Sequence, residues 1–174
     1  MYEICPELPE DTPEVEALYD LCFAPGRTAL SSYRLRDGVP RVARLCLVLR
    51  DPSGVLMAAI RYWPARVAGR RVLLLGPVAV HPTAQGEGLG GLLMRDSLAR
   101  ARSMGFARVL LVGDAPYYSR FGFQRLDGVT RAALTRAFGA ASRSRRVVRD
   151  RGDLFNRLAS TVSGAAGRFP ATAA

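Results

Sequence analysis

Residues 72–123 form the stretch that most constrains the fold of this chain. It opens with an apolar run, Val72–Val80, which is broken once, at Gly76-Pro77. A continuous apolar run of nine residues, rich in branched side chains, favours a buried strand over a helix. A glycine-rich segment follows a few residues later, and we define this glycine turn as Gln85–Gly91.

A helix and a second strand complete this stretch. Helical periodicity of apolar residues runs from Leu89 to Met104, and Gly105 is free to adopt the positive φ that ends many helices. Ala107–Val112 then predicts another buried strand. Strand, turn, helix and strand in this order predict two parallel strands that are joined by a right-handed crossover.

The glycine turn has two interpretations. Glycines let a ligand approach the backbone closely, and free N–H groups at a helix start bind anions, so Gly86, Gly88, Gly90 and Gly91 are candidates to hold a pyrophosphate. Alternatively, the segment is a tight turn that needs glycine for its own geometry. It lacks the Gly-Lys-Ser/Thr of a P-loop, and its glycines begin later than a dinucleotide-binding fold requires.

Two motifs in this stretch resemble those of a known family. Gln85-x-x-Gly88-x-Gly90 after a strand is similar to motif A of the GCN5-related N-acetyltransferases, and Tyr-Tyr-Ser-Arg-Phe-Gly-Phe at 117–123 is similar to their motif B. The longer pattern Gly-Asp-x-x-Tyr-Tyr-x-Arg-Phe-Gly-Phe resembles the YhbS-type branch. The resemblance covers residues 3–126, and both motifs occur at the family's spacing.

The resemblance implies a single α/β domain. Its central sheet would be mixed but mostly antiparallel, flanked by helices, with two parallel strands that splay apart. Proline cannot donate to a strand ladder, so Pro77 indicates a bulge in the first of these strands; a bulge that only adds twist is the alternative. In this family, pantetheine of acetyl-CoA lies in the notch between the strands, and the pyrophosphate lies on the glycine turn. The acetyl-CoA-binding residues implied for this chain are Val78, Ala79, Val80, Gln85, Gly86, Glu87, Gly88, Leu89, Gly90, Gly91 and Ser119.

Tyr118 is the catalytic residue that the resemblance implies. It lies four residues before Gly122, where the family often has a tyrosine near the sulfur of CoA, and a phenol there can protonate the leaving thiolate. The alternative is a ring that only packs on the core. We find no strong base for the amine, because Asp114 is interpreted as a helix cap and His81 as a turn residue.

The residues on either side of Tyr118 have predicted roles of their own. Tyr117 and Phe121 are predicted to pack, whereas Arg120 pairs with an acid, reaches a CoA phosphate or is solvated. Taken together, the motifs imply an acetyl-CoA-dependent N-acetyltransferase that acts on a primary amine by direct attack and uses no metal. A non-catalytic acyl-CoA-binding protein of the same fold is the alternative.

The remaining elements are predicted from turn and capping residues. Asp11-Thr12-Pro13-Glu14 indicates a helix start, and 51–54 is a turn between two strands of a hairpin. The resemblance places the region of the second helix over the acceptor pocket. The predicted elements are a strand at Met1–Cys5, a helix at Thr28–Leu35, and strands at Val42–Arg50 and Val55–Trp63.

The C-terminal segment departs from the resembled family. We predict an acetyltransferase core at 1–130 and an atypical Arg-rich segment at 131–174, where the family's last strand is absent, weak or supplied by a neighbouring chain. Arg143–Arg151 is a basic run, and apolar residues between Leu154 and Val162 have near-helical spacing. Gly164–Ala174 is predicted to be a loose end.

Composition limits the partners. The 174-residue chain has a net charge of +10, of which +7 lies in residues 131–174, and all of its basic residues are arginine. A solvated basic tail is the default interpretation, so we expect no nucleic-acid partner, and a nucleic-acid-binding module is the third function considered. Cys5, Cys22 and Cys46 lack metal-binding spacing. No apolar stretch could span a membrane and no signal peptide is evident, which favours a cytoplasmic protein; a homodimer stays open.

Overall fold

The computed structural model describes residues 1–23, 25–29, 33, 36, 38–67, 70–125 and 165–168. Most of the predicted helix Thr28–Leu35, the predicted helix between Leu154 and Val162, and the basic run Arg143–Arg151 lie outside the described residues. The division of the chain into 1–130 and 131–174 therefore stays a prediction.

A seven-stranded sheet in the order β1-β2-β3-β4-β5-β7-β6 forms the centre of the molecule. All neighbouring strands are antiparallel except β4 and β5, which are parallel. This confirms the predicted mixed, mostly antiparallel sheet with one parallel pair. The strands are β1 Glu3–Pro6, β2 Leu47–Arg50, β3 Leu56–Val67, β4 Arg70–Val80, β5 Arg108–Leu111, β6 Phe123–Arg125 and β7 Ala165–Arg168.

Helices pack on both faces of this sheet. Helix α1, Thr12–Phe23, buries Val15, Leu18 and Tyr19 against one face. Helix α2, Leu89–Ser103, buries a second stripe against the other face and links β4 to β5. Both sides of the central strands are therefore covered, which explains why Val72–Val80 is apolar without alternation. A short helix α3, Ala115–Ser119, follows β5, and single 3-10 turns lie at Pro9–Asp11, Pro25–Ala29, Ala43–Leu45 and Pro82–Ala84.

The structure corrects two of the predicted elements. The strand predicted at Val42–Arg50 begins only at Leu47, because a 3-10 turn at Ala43–Leu45 precedes it. The loose end predicted at Gly164–Ala174 is wrong for Ala165–Arg168, which form β7. This strand lies between β5 and β6 and pairs with both through the backbone, so it needs no apolar side chains of its own to be held.

Within the described residues, no helix is long and apolar enough to cross a membrane. The cytoplasmic location stays a prediction.

Candidate functional site

The two parallel strands of the sheet separate after three paired positions. Leu73, Leu74 and Leu75 of β4 pair with Val109–Leu111, and β5 ends there. The next residue of β4, Gly76, has a φ of 118°, a conformation that residues with a Cβ rarely adopt. We call this point the strand divergence, and it confirms the predicted splaying of the parallel strands.

Beyond the divergence, Val78–Val80 is paired on one side only. It pairs with Ala58–Ile60 of β3, while no strand among the described residues lies on its other side. The N–H of His81 donates to the Met57 carbonyl at 2.7 Å, and hydrogen-bonded pairs alternate along an antiparallel ladder. The backbone groups of Ala79 therefore face β3, whereas those of Val78 and Val80 point into the gap. Among the described residues, the Val80 carbonyl is the one of these groups that accepts hydrogen bonds, from the side chains of Gln85 at 3.2 Å and Cys22 at 3.4 Å.

A cavity of about 490 Å³ lies between the end of β4 and the start of α2, and we call it the helix-start cavity. Of the predicted acetyl-CoA-binding residues it brings together Val80, Gln85, Gly86, Gly88, Leu89, Gly90 and Gly91. The other lining residues are Ala84, Arg95, Tyr117, Arg120 and Phe121.

Backbone N–H groups at the start of α2 face this cavity without a side-chain cap. Gly88 is the N-cap, with a left-handed φ of 83°, and it has no side chain to cap the helix. The N–H groups of Leu89, Gly90 and Gly91 lie in the first turn, where no intrahelical acceptor exists. The N–H groups of Gln85 and Glu87 differ, because they donate to the carbonyls of Pro82 and Ala84 at 3.4 Å. The donors available for an anion therefore come from the helix itself.

At Gly90 and Gly91, the absence of a Cβ leaves space that the side chains of other residues occupy. A Cβ on Gly90 would stand 2.9 Å from the Tyr117 hydroxyl, and one on Gly91 would stand 3.4 Å from the guanidinium of Arg95. The hydroxyl and the guanidinium thus lie directly beside the backbone of the first helical turn. Each places a hydrogen-bond donor next to the free N–H groups.

Arg95 and Arg120 make the helix-start cavity electropositive. Arg120 stacks its guanidinium 4.4 Å from the centre of the Tyr117 ring, and its Nε donates to the Tyr117 carbonyl at 3.2 Å. The sequence did not decide whether Arg120 pairs with an acid, reaches a CoA phosphate or is solvated. It did not indicate Arg95 or Tyr117 as cavity residues. A helical wheel could have found Arg95, since it follows Gly91 by four residues and therefore lies on the same face of α2.

Tyr118 lies in α3, and its ring packs beside Gly113, two residues after the end of β5. Its ring comes 2.3 Å from the position of a Cβ on Gly113 and packs edge-on against Tyr117, with ring centres 5.0 Å apart. Burial raises the pKa of Tyr118 to about 12, with smaller contributions from Tyr117 and Asp114. The phenol therefore keeps its proton at neutral pH, as a proton donor must.

Several predicted residues lie away from the cavity lining. The Ser119 hydroxyl donates to the Pro116 carbonyl at 2.9 Å, and the Glu87 carboxylate accepts from the Tyr2 hydroxyl. Asp114 caps α3 by accepting from the Tyr117 N–H at 3.2 Å, as the sequence suggested. His81 contacts the Thr83 hydroxyl at 2.7 Å within its own turn.

The described residues contain no group of His, Cys, Asp and Glu side chains that could hold a metal ion. Cys5, Cys22 and Cys46 are all free thiols, and Cys46 is buried. Burial raises the pKa of Cys46 to about 11, so its thiol is a poor nucleophile at neutral pH.

A parallel strand pair that opens above an uncapped, glycine-rich helix start defines an α/β protein with a built site for an extended, anionic ligand. The chain belongs to the acetyltransferase (GNAT) family, whose sequence profile matches residues 12–123. It is 33% identical over 121 residues to the N-acetyltransferase YhbS of Escherichia coli (strain K12), a match that covers 68% of this chain and 71% of YhbS.

Two solved structures resemble the molecule over most of its length. A GNAT family acetyltransferase from Brucella melitensis in complex with acetyl-CoA is 32% identical, with a TM-score of 0.59 over 71% of this chain and 83% of that one. YhbS from Escherichia coli in complex with CoA is 26% identical, with a TM-score of 0.65 over 96% of this chain and 81% of that one.

Proposed function

We propose that this protein is an acetyl-CoA-dependent N-acetyltransferase that moves the acetyl group to a primary amine by direct attack. The observation that carries the proposal is the divergence of β4 and β5 above the amide-lined start of α2. That arrangement offers an unpaired strand edge and an anion site in one continuous groove. CoA and acetyl-CoA, which similar proteins bind, combine a peptide-like arm with a diphosphate.

The residues present fit the two ends of such a ligand. The C=O of Val78 and the N–H of Val80 point into the gap and would pair with the amides of pantetheine, as a further strand does, which leaves the Val78 N–H for the thioester carbonyl. The N–H groups of Leu89, Gly90 and Gly91, with Arg95 and Arg120, would hold the phosphates. Gly86, Gly88 and Gln85 shape the turn that leads there.

In the reaction the amine nitrogen attacks the thioester carbonyl carbon, a C–N bond forms and the C–S bond breaks. The Val78 N–H would stabilise the negative charge that develops on the carbonyl oxygen. The leaving sulfur would take the bond's electron pair and the Tyr118 proton, and the amine would release its proton to solvent, from which Tyr118 regains its own. Neither step needs a covalent enzyme intermediate.

Thermal unfolding with and without acetyl-CoA tests the binding half of the proposal. At a concentration about 100 times Kd, the ligand should raise Tm by about 5–10 °C in a domain of this size. Pantetheine, which lacks the phosphates, is the matched control ligand and should give a much smaller shift. The absence of a shift at saturating acetyl-CoA would contradict the proposal.

Release of the CoA thiol in the presence of a panel of primary amines tests the catalytic half. Amine-dependent release is expected, with the acetylated amine as the second product. If acetyl-CoA stabilises the fold but no amine in the panel accelerates thiol release, the chain is an acyl-CoA-binding protein without transferase activity. The Tm shift and thiol release therefore separate the two functions.

A further inference from the structure

The guanidinium of Arg36 lies at the strand divergence. Its Nη2 is 3.5 Å from the position of a Cβ on Gly76, the first residue of β4 beyond the paired positions. The rest of the group is held between two aromatic rings, with its carbon 4.5 Å from the centre of Tyr33 and 4.6 Å from that of Trp63. The stack fixes the plane of the guanidinium and directs one edge at the divergence.

Two of the three guanidinium nitrogens of Arg36 lack a hydrogen-bond partner among the described residues. Its Nε and Nη1 are buried, and neither has a hydrogen-bond partner in the part of the chain that the structure describes. Burial lowers the pKa of Arg36, and the interaction with Tyr33 offsets only part of that effect. A buried donor without an acceptor is destabilising, so such a group needs an explanation.

The other buried arginines on this side of the sheet show how the fold normally treats such a group. Arg61 makes two hydrogen bonds to Glu7, at 2.9 and 2.7 Å, and a third to Glu16. Arg27 pairs with Glu16 and Asp20 and donates to the Tyr33 hydroxyl at 2.9 Å. Arg36 differs from this pattern, because it is partly buried and has no carboxylate partner in the part of the chain that the structure describes.

Arg36 also lies on the face of the sheet that is opposite α2. Side chains alternate along β3, and Tyr62 faces α2, where its hydroxyl bonds to Ser97 at 2.8 Å. Arg61 and Trp63 therefore face the α1 side, as the pairing of Arg61 with Glu16 confirms. Arg36, stacked on Trp63, reaches the divergence from the face that the helix-start cavity does not use. A second substrate that enters from this side would meet Arg36 beside the divergence.

We propose that Arg36 binds a carboxylate or phosphate group of the amine acceptor, so that the acceptor is a small anionic amine. This rests on the proposed acetyl transfer. Of the Arg36 nitrogens, Nη2 is the one that points at the divergence, and its N–H donors can bond to a carboxylate or phosphate oxygen while the guanidinium charge attracts the anion. Since Nε and Nη1 are enclosed by the stack, the anionic group must be a compact one at the end of a small molecule. Arg27 acts through the Tyr33 hydroxyl and is a positioning residue for the stack.

Trp63 provides a direct readout, because it is the only tryptophan in the chain. The CoA-saturated protein is titrated with two matched pairs of amines, γ-aminobutyrate against butylamine and O-phosphoethanolamine against ethanolamine, while Trp63 fluorescence is followed. In each pair the charged member carries a carboxylate or phosphate group and the neutral member lacks it. The charged member of at least one pair should give a saturable change, with at least ten-fold higher affinity than its neutral partner. Which pair responds tells carboxylate from phosphate. Equal responses to charged and neutral members, or no response to any of the four, would overturn the proposal.

Substitutions assign the response to Arg36. Arg36→Met should abolish the preference for the charged amine, and Arg36→Lys, which keeps the charge but loses the guanidinium stacked on Tyr33 and Trp63, should retain part of it. Arg71→Met is the matched control, since Arg71 also stacks on an aromatic ring, 5.0 Å from the centre of Phe106, but lies far along β4 from Gly76. If Arg36→Met binds the charged amines as tightly as the unmodified protein does, the assignment is wrong.

The acetyl-CoA-induced rise in Tm keeps the two proposals separate and reports folding of each variant. It should be the same in Arg36→Met as in the unmodified protein, because Arg36 does not line the helix-start cavity. Without that rise in the unmodified protein, the acetyl-CoA proposal fails. With the rise but no charge preference among the amines, only the role of Arg36 fails.

Discussion

The Tyr117 hydroxyl lies over Gly90, 2.9 Å from where a Cβ on that glycine would stand. Val80 closes the same position from the other side, with its Cγ2 3.3 Å away. We predict that Gly90→Ala weakens acetyl-CoA binding by about ten-fold, since the methyl group displaces Tyr117 into the helix-start cavity. The fold should tolerate the change, because alanine is favoured over glycine in a helix by about 1 kcal/mol and a tyrosine tip can move.

Calorimetric titration gives the affinity, and thermal unfolding gives the stability. Gly26→Ala is the matched control, because a Cβ there meets no atom within 4 Å. In a Tyr117→Phe background, Gly90→Ala should be more stabilising than it is alone, as expected for residues in direct contact. Unchanged acetyl-CoA affinity in Gly90→Ala would mean that the phosphates lie elsewhere.

The pair Arg95 and Arg120 gives a second prediction. Each should form charge-assisted hydrogen bonds to a phosphate, so Arg95→Ala and Arg120→Ala should each weaken acetyl-CoA binding by about ten-fold, or ~1.4 kcal/mol. Both variants should also show a shallower dependence of affinity on salt concentration. Arg100→Ala is the control on the same helix, because Arg100 is paired with Asp96 at 2.6 Å and does not line the cavity. Equal losses in all three variants would indicate only a general charge effect.

The features that the sequence predicted well are those that one residue imposes locally. The register of β3 and β4 shifts between the pairs Ile60–Val78 and Tyr62–Leu75, so the bulge predicted at Pro77 is present in β4. Pro77 cannot complete a strand ladder and Gly88 adopts a φ of 83°, so the residue types indicate both the bulge and the helix start. Asp114 likewise caps α3 through its nearest neighbours. Such features depend on backbone chemistry within a few residues, and the fold need not be known.

What the sequence did not predict depends on contacts between distant segments. Arg36 is unremarkable until the fold places Tyr33 and Trp63 around it. Ala165–Arg168 has no strand pattern and becomes β7 only because two edges are available to it. Tyr117 and Tyr118 are adjacent in sequence, yet only Tyr117 lines the helix-start cavity.

Tyr118 gives a prediction about pH. Its pKa is raised from about 10 to about 12 by burial, so the hydroxyl keeps its proton as the pH rises through 10. We expect no loss of kcat from this group below about pH 11, and Tyr118→Phe should lower kcat by about 100-fold at every pH in that range. The Kd for acetyl-CoA should change by less than about two-fold, because the Tyr118 proton is transferred during the reaction and does not contribute to the binding of acetyl-CoA.

Tyr62→Phe is the matched control for the loss of a buried hydroxyl. That hydroxyl bonds to Ser97 at 2.8 Å, so the variant should lose about 1 kcal/mol of stability and keep its kcat. If kcat is unchanged in Tyr118→Phe, the role of Tyr118 is to pack on the core and not to donate a proton.

The ion pairs of Glu16 with Arg61 and Arg27 predict how the stability of the fold depends on pH. Glu16 accepts hydrogen bonds from both Arg61 and Arg27, whose side chains are only 5% and 4% exposed. Desolvation acts to raise the pKa of Glu16, but the hydrogen bonds and charges of the two arginines outweigh it and hold the pKa below its ordinary value. The folded state therefore binds the Glu16 proton more weakly than the unfolded chain does.

The sign of the pH effect follows from this difference. The stabilisation is fully present above the unfolded pKa of about 4.3 and is lost as the pH falls through the lower folded value. Tm should therefore be flat from pH 7 to about 5 and fall below that, and Glu16→Gln should lower Tm at pH 7 but have a smaller effect near pH 3. Glu10→Gln, at an exposed carboxylate, is the control and should leave the profile unchanged. If Glu16→Gln lowered Tm equally at both pH values, its role would be in packing, because only the charged form pairs with Arg61 and Arg27.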